Sequence, residues 1–502
     1  MNEMRNRQFF EDIASHLTIE TRAFIDGKYC NSASGKKFET LNPATGQVLA
    51  NAAHCDIADV DRAVAAARKS FNSGVWSRAT PEHRKSVLLK LANLVRGNSD
   101  ELSVLESLNS GKGISDCLNE IANEVSNAFQ WYAELIDKSF GSVVPTGDTA
   151  LSIIIKEPIG VVGFVLPWNF PLLLAAWKLA PALASGCSVV LKPAEQTPLT
   201  AIRFAALAAE AGIPDGVLNI VPGLGETTGQ AVGRHNDIDA VSFTGSTEIG
   251  ALFLKYAAES NMKPVGLEMG GKSPLIVLDD AIIDDNMINN AVMAACWNGG
   301  QNCSANMRQI VHKSRKDEFL HRVTERVKYL VLGEPLDPAT EIGSMITSAH
   351  RERILGYIAK GKSEGAKLIT GGNKVESFPG FFIEPTIFDH VTRDMAIARE
   401  EIFGPVLGIM TVSTIEEALE IAEDSEYGLH ASIFTSDINK AITLARRIRC
   451  GTISINRFTE GDIKTPFGGY KKSGSLARDN GVEAMDQYQQ TKTIWAEISS
   501  LL

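Results

Sequence analysis

Short apolar runs alternate with helical patterns through the middle of this chain, and this alternation narrows the possible folds more than any other feature. The runs are typical of buried strands and cover residues 161–166, 188–191, 218–221 and 240–243. The clearest helix between them begins after Thr197-Pro198 and ends before Gly212. Strands that alternate with such helices form parallel, doubly wound sheets. The sequence therefore predicts an α/β fold with a Rossmann-like unit, whose ligands bind at the carboxyl ends of the strands.

A second α/β series follows Gly270. Strands are predicted at residues 274–278, 309–311, 406–412, 431–434 and 451–455, with one helix into Trp297 and another over residues 316–330. A chain of 502 residues is too long for a single core. The second series is long enough to form its own domain.

The remaining segments have other patterns. Residues 24–49 contain short strands and turns. Helices are predicted over residues 59–71, from Pro81 to Gly97 with Thr80 as N-cap, and twice more between residues 100 and 139. Residues 151–155 are predicted to form a strand outside the main core, and residues 492–498 a final strand centred on Ile494 and Trp495.

Composition and charge exclude several classes of partner. The formal net charge of −11 argues against nucleic acid or an anionic membrane. The apolar regions are interrupted by charged residues and the first 18 residues lack an apolar core, so neither a membrane span nor a signal peptide is expected. Seven scattered cysteines without a CxxC pair indicate a reducing, cytoplasmic compartment. The histidines do not cluster at ligand spacing, so no metal is expected.

Glu268 and Cys303 are the strongest candidates for chemistry. Glu268 lies among apolar residues and glycines, whereas Cys303 follows a predicted helix in a short polar loop. They are 35 positions apart (303 − 268), so only folding could bring them together. A thiol near a carboxylate suggests a nucleophile with a general base. On these two residues alone, a small buried thiol and a surface carboxylate are an equally good interpretation.

Three loops at strand ends offer ligand contacts. Residues 243–250 (FTGSTEIG) follow a strand and open a helix, which suits phosphate binding, although a plain turn capped by Ser246 fits as well. Lys192 and Glu195 could hold the two hydroxyls of an adenosine ribose, and the carboxylate would repel a 2′-phosphate and favour NAD over NADP. The alternative is a solvated salt bridge. Asn169, between two prolines, could stabilise an oxyanion or serve only the turn.

Taken together, these strings closely resemble the aldehyde dehydrogenase superfamily over almost the whole chain from Phe24. The motifs that carry the resemblance are PWNFP (167–171), KPAEQTP (192–198), FTGSTEIG (243–250), LEMGGKSP (267–274), GQNCSA (300–305), EEIFGPV (400–406) and PFGGYK (466–471). Several independent motifs in one order are far more specific than any one of them.

The resemblance implies a mechanism. The Cys303 thiolate attacks the aldehyde carbon, Asn169 and the Cys303 backbone N–H hold the oxyanion, hydride passes to NAD, and Glu268 activates water to release the acid from a thioester. Lys178 matches a position assigned to a proton relay. The implied cofactor-binding residues are Leu166, Pro167, Trp168, Lys192, Ala194, Glu195, Phe243, Gly245, Ser246, Leu267, Gly270, Glu401 and Phe403. The implied substrate pocket comprises Phe170, Trp177, Asn302, Ser304, Glu460, Asp462 and Phe467.

The implied fold has three parts. Residues 1–139 and 159–269 would form the NAD-binding domain, residues 270–480 the catalytic domain, and residues 140–158 and 481–502 an oligomerisation sheet. Since the strands near residues 151 and 492 lack obvious partners within the chain, they are expected to pair across subunits. A homodimer or homotetramer is therefore expected.

Within the superfamily, the best resemblance is to γ-glutamyl-γ-aminobutyraldehyde and guanidinobutyraldehyde dehydrogenases of polyamine catabolism. Glu460 and Asp462 lie in a loop that would border the substrate tunnel and attract an amino or guanidino group, or be a polar surface loop. Asn109 stands where relatives commonly carry aspartate, which weakens this assignment if that acid reads the substrate. A one-residue extension after Gly474 blurs the alignment of Asp479 with an acid near Lys178.

Two alternatives stay open. One is a broad dehydrogenase of betaine, aliphatic or aromatic aldehydes. The other is a catalytically silent binding or structural relative.

Overall fold

The computed structural model describes residues 5–498 and confirms the predicted fold class. Two α/β units are each built on a seven-stranded sheet, and a three-stranded sheet accompanies them. Residues 1–4 and 499–502, at the ends of the predicted terminal segments, lie outside the described residues. The proposed domain boundaries stay a prediction.

The first sheet carries the Rossmann-like unit. Its strands run in the order Val265–Met269, Ala240–Gly245, Val161–Val165, Ser188–Lys192, Leu218–Ile220, Ala23–Ile25 and Lys28–Cys30. The first five strands are parallel to one another, and each of the last two is antiparallel to the strand before it in this order. Helices Pro171–Ser185 and Leu199–Ala211 share one core with this sheet, and helices Ile57–Ser73 and Thr247–Ala258 share another. Both faces are therefore covered, as a parallel sheet requires.

The second sheet has the same construction. Its strands run in the order Lys367–Thr370, Thr386–Asp389, Val406–Val412, Arg308–His312, Pro274–Val277, His430–Phe434 and Thr452–Ile455. All neighbours are parallel except the first pair. Leu275 and Ile276 belong to different apolar clusters, because successive side chains on a strand point to opposite faces.

The third sheet corrects the expectation that its strands lack partners within the chain. Gln489–Glu497 pairs antiparallel with Ala150–Pro158 along its full length, and Ser142–Val144 pairs with the other edge. The resemblance placed both segments in one sheet, but no local signal indicated pairing within one chain, because the segments are more than 300 residues apart. Trp495, with 61% of its surface exposed, lies on the outer strand.

Several helix boundaries agree with their local signals. Pro81–Gly97 is capped by Thr80, whose side chain accepts a hydrogen bond from His83 N. Leu199–Ala211 ends at Gly212, which has a φ of +109°. Between residues 100 and 139 the two predicted helices are present: one is Ser99–Ser110, and the other runs without a break through Ile114–Asn119, the π-helical turn Glu120–Val125 and Ser126–Leu135.

The α-helices within residues 5–498 are Arg7–His16, Ile57–Ser73, Pro81–Gly97, Ser99–Ser110, Ile114–Asn119, Ser126–Leu135, Pro171–Ser185, Leu199–Ala211, Gln230–Arg234, Thr247–Ala258, Asp285–Cys296, Lys316–Lys328, Ser348–Ser363, Ala396–Arg399, Ile415–Glu423, Ile438–Arg447 and Glu483–Asp486. None of them combines the length and apolar character that crossing a membrane would require. The remaining two strand pairs are Lys37–Asn42 with Gln47–Ala53, and Tyr427–Gly428 with Tyr470–Lys471.

Candidate active site

Cys303 and Glu268 line one cavity of about 400 Å³. The cavity also includes Gly245 and Ser246, which end a strand of the first sheet and precede the next helix. This is the edge at which parallel sheets bind ligands. The two residues that the sequence singled out therefore share one space, although they are far apart in the chain.

The Cys303 loop is placed by close backbone contacts. The turn Trp297–Gly300 before it contains Asn298 in the left-handed region, with a φ of +50°. A Cβ at Gly271 would come within 2.6 Å of the Cys303 carbonyl oxygen, so only glycine permits this approach. The Cys303 side chain is thereby held at the cavity wall.

Burial raises the pKa of the Cys303 thiol well above its usual value, and the carboxyl groups of Glu460, Glu401 and Glu268 raise it further. The thiol is therefore neutral at rest. Because the thiolate is the nucleophile, a nearby base or a bound positive charge must promote its ionisation.

Glu268 lies on strand Val265–Met269, opposite Thr244 of the neighbouring strand. It is 5% exposed, and neither of its carboxylate oxygens has a hydrogen-bond partner among the described residues. Burial raises its pKa well above the usual value, Asp479 raises it further, and Lys178 lowers it. A buried carboxyl without a partner on a cavity wall is suited to accept a proton from substrate or water.

Lys178 forms a buried ion pair with Asp479. Its Nζ lies 2.7 Å from Asp479 Oδ2, and both side chains are almost fully buried. Asp479 lines the cavity, whereas Lys178 lies behind it. The structure therefore pairs the two residues whose alignment the sequence left blurred, and both act on the pKa of Glu268.

Asn169 is oriented by two hydrogen bonds. Its Nδ2 donates to Gln301 O at 3.0 Å, and its own carbonyl accepts from Asn298 Nδ2 at 2.9 Å. An amide nitrogen has two hydrogens, so one remains for a ligand. Glu106 accepts a hydrogen bond from Leu172 N at 3.1 Å and fixes the start of the helix that follows.

The opposite end of the cavity fits a dinucleotide. Ser246 caps helix Thr247–Ala258 by accepting from Ile249 N, and a helix N-terminus favours phosphate. Glu401 accepts from Gly271 N at 3.0 Å, and burial raises its pKa to about 7. A Cβ at Gly270 would come within 2.3 Å of Glu401 Oε2, so a larger residue there would displace the Glu401 carboxylate.

The rings of Trp168, His350 and Phe403 pack against one another, and the Phe403 backbone has a φ of +61°. The Trp168 ring lies edge-on to the Phe403 ring at 5.3 Å, and a hydrogen bond of 2.7 Å joins His350 Nε2 to Phe403 O. Burial lowers the pKa of His350 to about 4, so its ring is neutral. The three rings form an apolar wall beside Glu401 that a nicotinamide could contact.

Lys192 is the last residue of strand Ser188–Lys192 in the first sheet, and Glu195 lies in the loop that follows. Lys192 Nζ is 2.7 Å from Glu195 Oε2, and burial lowers the lysine pKa. Behind this loop, Asn109 donates from Nδ2 to Gln196 O at 2.9 Å and to Thr40 Oγ1 at 2.7 Å. Asn109 is buried and does not line the cavity.

The proposed substrate end of the cavity has aromatic side chains and the carboxyl group of Glu460. Phe170, Trp177 and Phe467 line it, and the Trp177 and Phe467 rings lie 5.3 Å apart. Glu460 lines both this cavity and a second one of about 570 Å³, and burial raises its pKa. Asp462 lines only the outer cavity, where it pairs with Lys464 at 3.3 Å.

Most residues singled out from the sequence meet at the cavity. Those on its wall are Pro167, Trp168, Asn169, Phe170, Trp177, Gly245, Ser246, Glu268, Gly270, Asn302, Cys303, Glu401, Phe403, Glu460 and Phe467. Those not on its wall are Leu166, Lys178, Lys192, Ala194, Glu195, Phe243, Leu267, Ser304 and Asp462. Ser304 lies directly behind it and donates from Oγ to Glu460 Oε1.

Sequence reasoning missed several wall residues. They are Leu173, Leu174, Thr244, Glu248, Met269, His350 and Arg353, whereas Asp479, which is also on the wall, was named from the sequence with a blurred alignment. Arg353 donates to the backbone oxygens of Glu401 and Ile402, which no local motif could indicate. Leu173 and Leu174 are part of a helix that is apolar except for Lys178 and Ser185, and they give only a core signal.

The chain resembles known enzymes along almost its whole length. The aminoacetaldehyde dehydrogenase of Pseudomonas aeruginosa is 48% identical over 499 residues, which cover 99% of this chain and 100% of that protein. A structure of a mutant indole-3-acetaldehyde dehydrogenase, P. syringae AldA with NAD+ and IAA, has a TM-score of 0.97 at 46% identity, covering 98% of this chain and 100% of that one. A γ-glutamyl-γ-aminobutyraldehyde dehydrogenase structure from Burkholderia cenocepacia J2315 has a TM-score of 0.96 at 45% identity, covering 98% and 99%.

The Aldehyde dehydrogenase family model matches residues 29–494, which is most of the chain. This match agrees with the relatives, with the two-sheet fold and with the cavity that brings thiol, amide and carboxyl together. The chain therefore belongs to the aldehyde dehydrogenase family.

Proposed function

We propose that this protein oxidises a short aldehyde with a cationic amino or guanidino end to the carboxylic acid, with NAD+ as hydride acceptor. The observation that carries the substrate class is Glu460. It is partly buried, and it lines both the Cys303 cavity and the outer cavity. A partly buried carboxylate beside aromatic side chains favours a cation over a neutral alkyl group.

A second carboxyl strengthens this preference. Glu124 lines the outer cavity, and burial together with the Glu460 charge raises its pKa to about 7. Two acids that repel each other are both stabilised when a cation lies between them. Lys464, the basic residue of the outer cavity, is already paired with Asp462.

The chain's own residues support the chemistry in sequence. Glu268 accepts the thiol proton, directly or through water, so that Cys303 sulfur can bond to the aldehyde carbon. The free hydrogen of Asn169 Nδ2 then stabilises the oxyanion. After hydride leaves, the substrate is a thioester on Cys303, and Glu268 removes a proton from the water that releases the acid. Lys178 and Asp479 tune the pKa of Glu268.

The residues present fit NAD+, which supplies the hydride acceptor when bound. Glu195, with one carboxylate oxygen not paired to Lys192, suits a ribose with two free hydroxyls and disfavours a 2′-phosphate. Ser246 and the helix it caps suit the pyrophosphate, while Glu401 and Phe403 suit the nicotinamide end. A relative of known structure carries NAD+.

An aromatic aldehyde is the second candidate. Phe170, Trp177 and Phe467 would accept an aromatic ring as readily as an alkyl chain, and one relative is named for indole-3-acetaldehyde. An NADH-formation assay separates the candidates. It compares kcat/KM for γ-glutamyl-γ-aminobutyraldehyde, 4-guanidinobutyraldehyde, 3-aminopropionaldehyde, betaine aldehyde, propanal and indole-3-acetaldehyde. Equal values for the cationic and neutral aldehydes would refute the proposed substrate class.

The assembly and compartment belong to the same proposal. The exposed strand Gln489–Glu497 has one edge without a partner strand among residues 5–498 and carries the exposed Trp495 side chain, which supports a homodimer or homotetramer built through this sheet. All seven cysteines are unpaired, which supports a reducing compartment such as the cytoplasm.

A further inference from the structure

A buried ring of hydrogen bonds lies behind the cavity wall and joins the nucleophile loop to the loop that carries Glu460. Ser304 Oγ donates to Glu460 Oε1, and Ser304 O accepts from Asn306 Nδ2 at 2.9 Å. Asn306 Nδ2 also lies 3.0 Å from His430 Nδ1, and His430 Nε2 lies 3.0 Å from Thr459 O. Thr459 precedes Glu460 in the chain, which closes the ring.

The partners of His430 determine which of its nitrogens carries the proton. Asn306 presents Nδ2 because that atom faces the Ser304 carbonyl, while its Oδ1 accepts from Ser432 Oγ at 2.5 Å. The amide nitrogen therefore donates to His430 Nδ1. The Thr459 carbonyl can only accept, so the proton lies on His430 Nε2. Burial lowers the His430 pKa to about 4, which keeps the ring neutral.

His430 does not line the Cys303 cavity, but it holds the backbone of Thr459, the residue before Glu460. It is 1% exposed and begins strand His430–Phe434 of the second sheet. Other contacts hold the loop on either side of Thr459 and Glu460: Phe458 N donates to Asn290 Oδ1 at 2.9 Å, and Gly481 N donates to Ile463 O at 2.9 Å. The Phe458 ring also lies edge-on to the His430 ring at 5.3 Å. Without the Nε2 contact, the Thr459 carbonyl loses its link to the sheet.

We propose that His430 is a positioning residue that sets the preference for cationic aldehydes, by holding the Thr459 backbone where the Glu460 carboxylate faces the substrate. This inference rests on the proposed function, because it requires that Glu460 binds the cationic end. It assigns a role in substrate selection to a buried histidine that contacts neither the nucleophile nor the aldehyde.

Two variants test the two hydrogen bonds of His430 separately. His430→Asn can keep an acceptor near the Nδ1 position but loses the donor to Thr459, whereas His430→Gln can keep a donor near the Nε2 position. The substrates are 3-aminopropionaldehyde and butanal, which have chains of equal length and differ in charge. Loss of one buried hydrogen bond should raise the KM of His430→Asn for the aminoaldehyde about fivefold to tenfold. His430→Gln should retain most of the wild-type KM.

The neutral substrate supplies the control. The butanal KM and kcat for both substrates should change by less than about twofold, because Cys303 and Glu268 keep their contacts. In a Glu460→Gln background, His430→Asn should have no further effect on the aminoaldehyde KM. A merely structural role for His430 would instead lower kcat or raise both KM values together.

The outcomes distinguish this inference from the function on which it rests. If the wild-type enzyme does not prefer 3-aminopropionaldehyde over butanal, the proposed substrate class fails and the inference fails with it. If the wild type has the preference and His430→Asn keeps it, only the role of His430 is overturned. Should His430 variants not fold, Ser432→Ala removes the hydroxyl that orients Asn306, and an unchanged aminoaldehyde KM would overturn the proposal equally.

Discussion

Substitutions of Lys178 and of Asp479, which form an ion pair, should shift the pKa of Glu268 in opposite directions. Lys178 lowers the pKa of Glu268 and Asp479 raises it. Lys178→Met should therefore raise the pKa of Glu268 further, and Asp479→Asn should lower it. Glu268 acts as a base only when ionised, so the acidic limb of the rate profile should move to higher pH in the first variant and to lower pH in the second.

Both variants should also lose stability. The two side chains are 0% and 2% exposed, so either substitution leaves a buried charge without its partner. Removing one member of such a pair costs about 3–5 kcal/mol. The double variant leaves no isolated charge and should lose less than the sum of the two single variants. Lys472→Met, which breaks an exposed pair with Glu426, should cost less than about 1 kcal/mol.

The assay is the rate of NADH formation after the first turnover, measured between pH 6 and pH 10, with thermal unfolding followed at one scan rate. If the two single variants move the acidic limb in the same direction, the electrostatic account of Glu268 is wrong. A double variant as unstable as the sum of the singles would show that the two charges do not interact.

Four further predictions follow from the site and the outer strand. Cys303→Ala should abolish turnover but retain NAD+ binding, measured by fluorescence quenching; residual turnover would contradict the nucleophile assignment. Glu268→Gln should give one burst of NADH and then little turnover, and it should stabilise the fold at pH 7 by on the order of 1 kcal/mol. The gain arises because burial raises the folded pKa, and it should vanish as pH falls towards the ordinary value of 4.5. Glu195→Ala should reduce the preference for NAD+ over NADP+ about tenfold or more in kcat/KM, since the repelling carboxylate is gone. Trp495→Asp should shift the assembly towards monomer in light scattering, and an unchanged mass would place the interface elsewhere.

Local sequence signals predicted the elements of the fold well. The runs at residues 406–412 and 240–243 became strands with nearly the predicted boundaries, because burial on both faces demands continuous apolar residues. The strand Val265–Met269 was not predicted, since its glycine and glutamate interrupt that pattern. The tail strand was predicted, but it was expected to pair across subunits, because pairing within the chain over such a separation has no local signal.

The site was predictable only where motifs carried it. Cys303, Glu268 and Asn169 stand in strings that resemble a known family, and the structure places all three on one cavity. Asp479, Arg353 and His430 act through contacts made only after folding. The environment of Glu268 likewise depends on Lys178, 90 positions away (268 − 178).

Helix Pro171–Ser185 makes several parts of the site inseparable. It begins just after Asn169, its start is fixed by Glu106, and farther along it presents Trp177 and Lys178. A small rotation of this helix would move Asn169, Trp177 and Lys178 together, and would thus disturb the oxyanion donor, the wall of the cavity and the pKa of Glu268. Divergence among related enzymes should therefore leave this helix unchanged and alter the loop of residues 456–464, where a new side chain can change the accepted aldehyde while Asn169, Trp177 and Lys178 keep their positions.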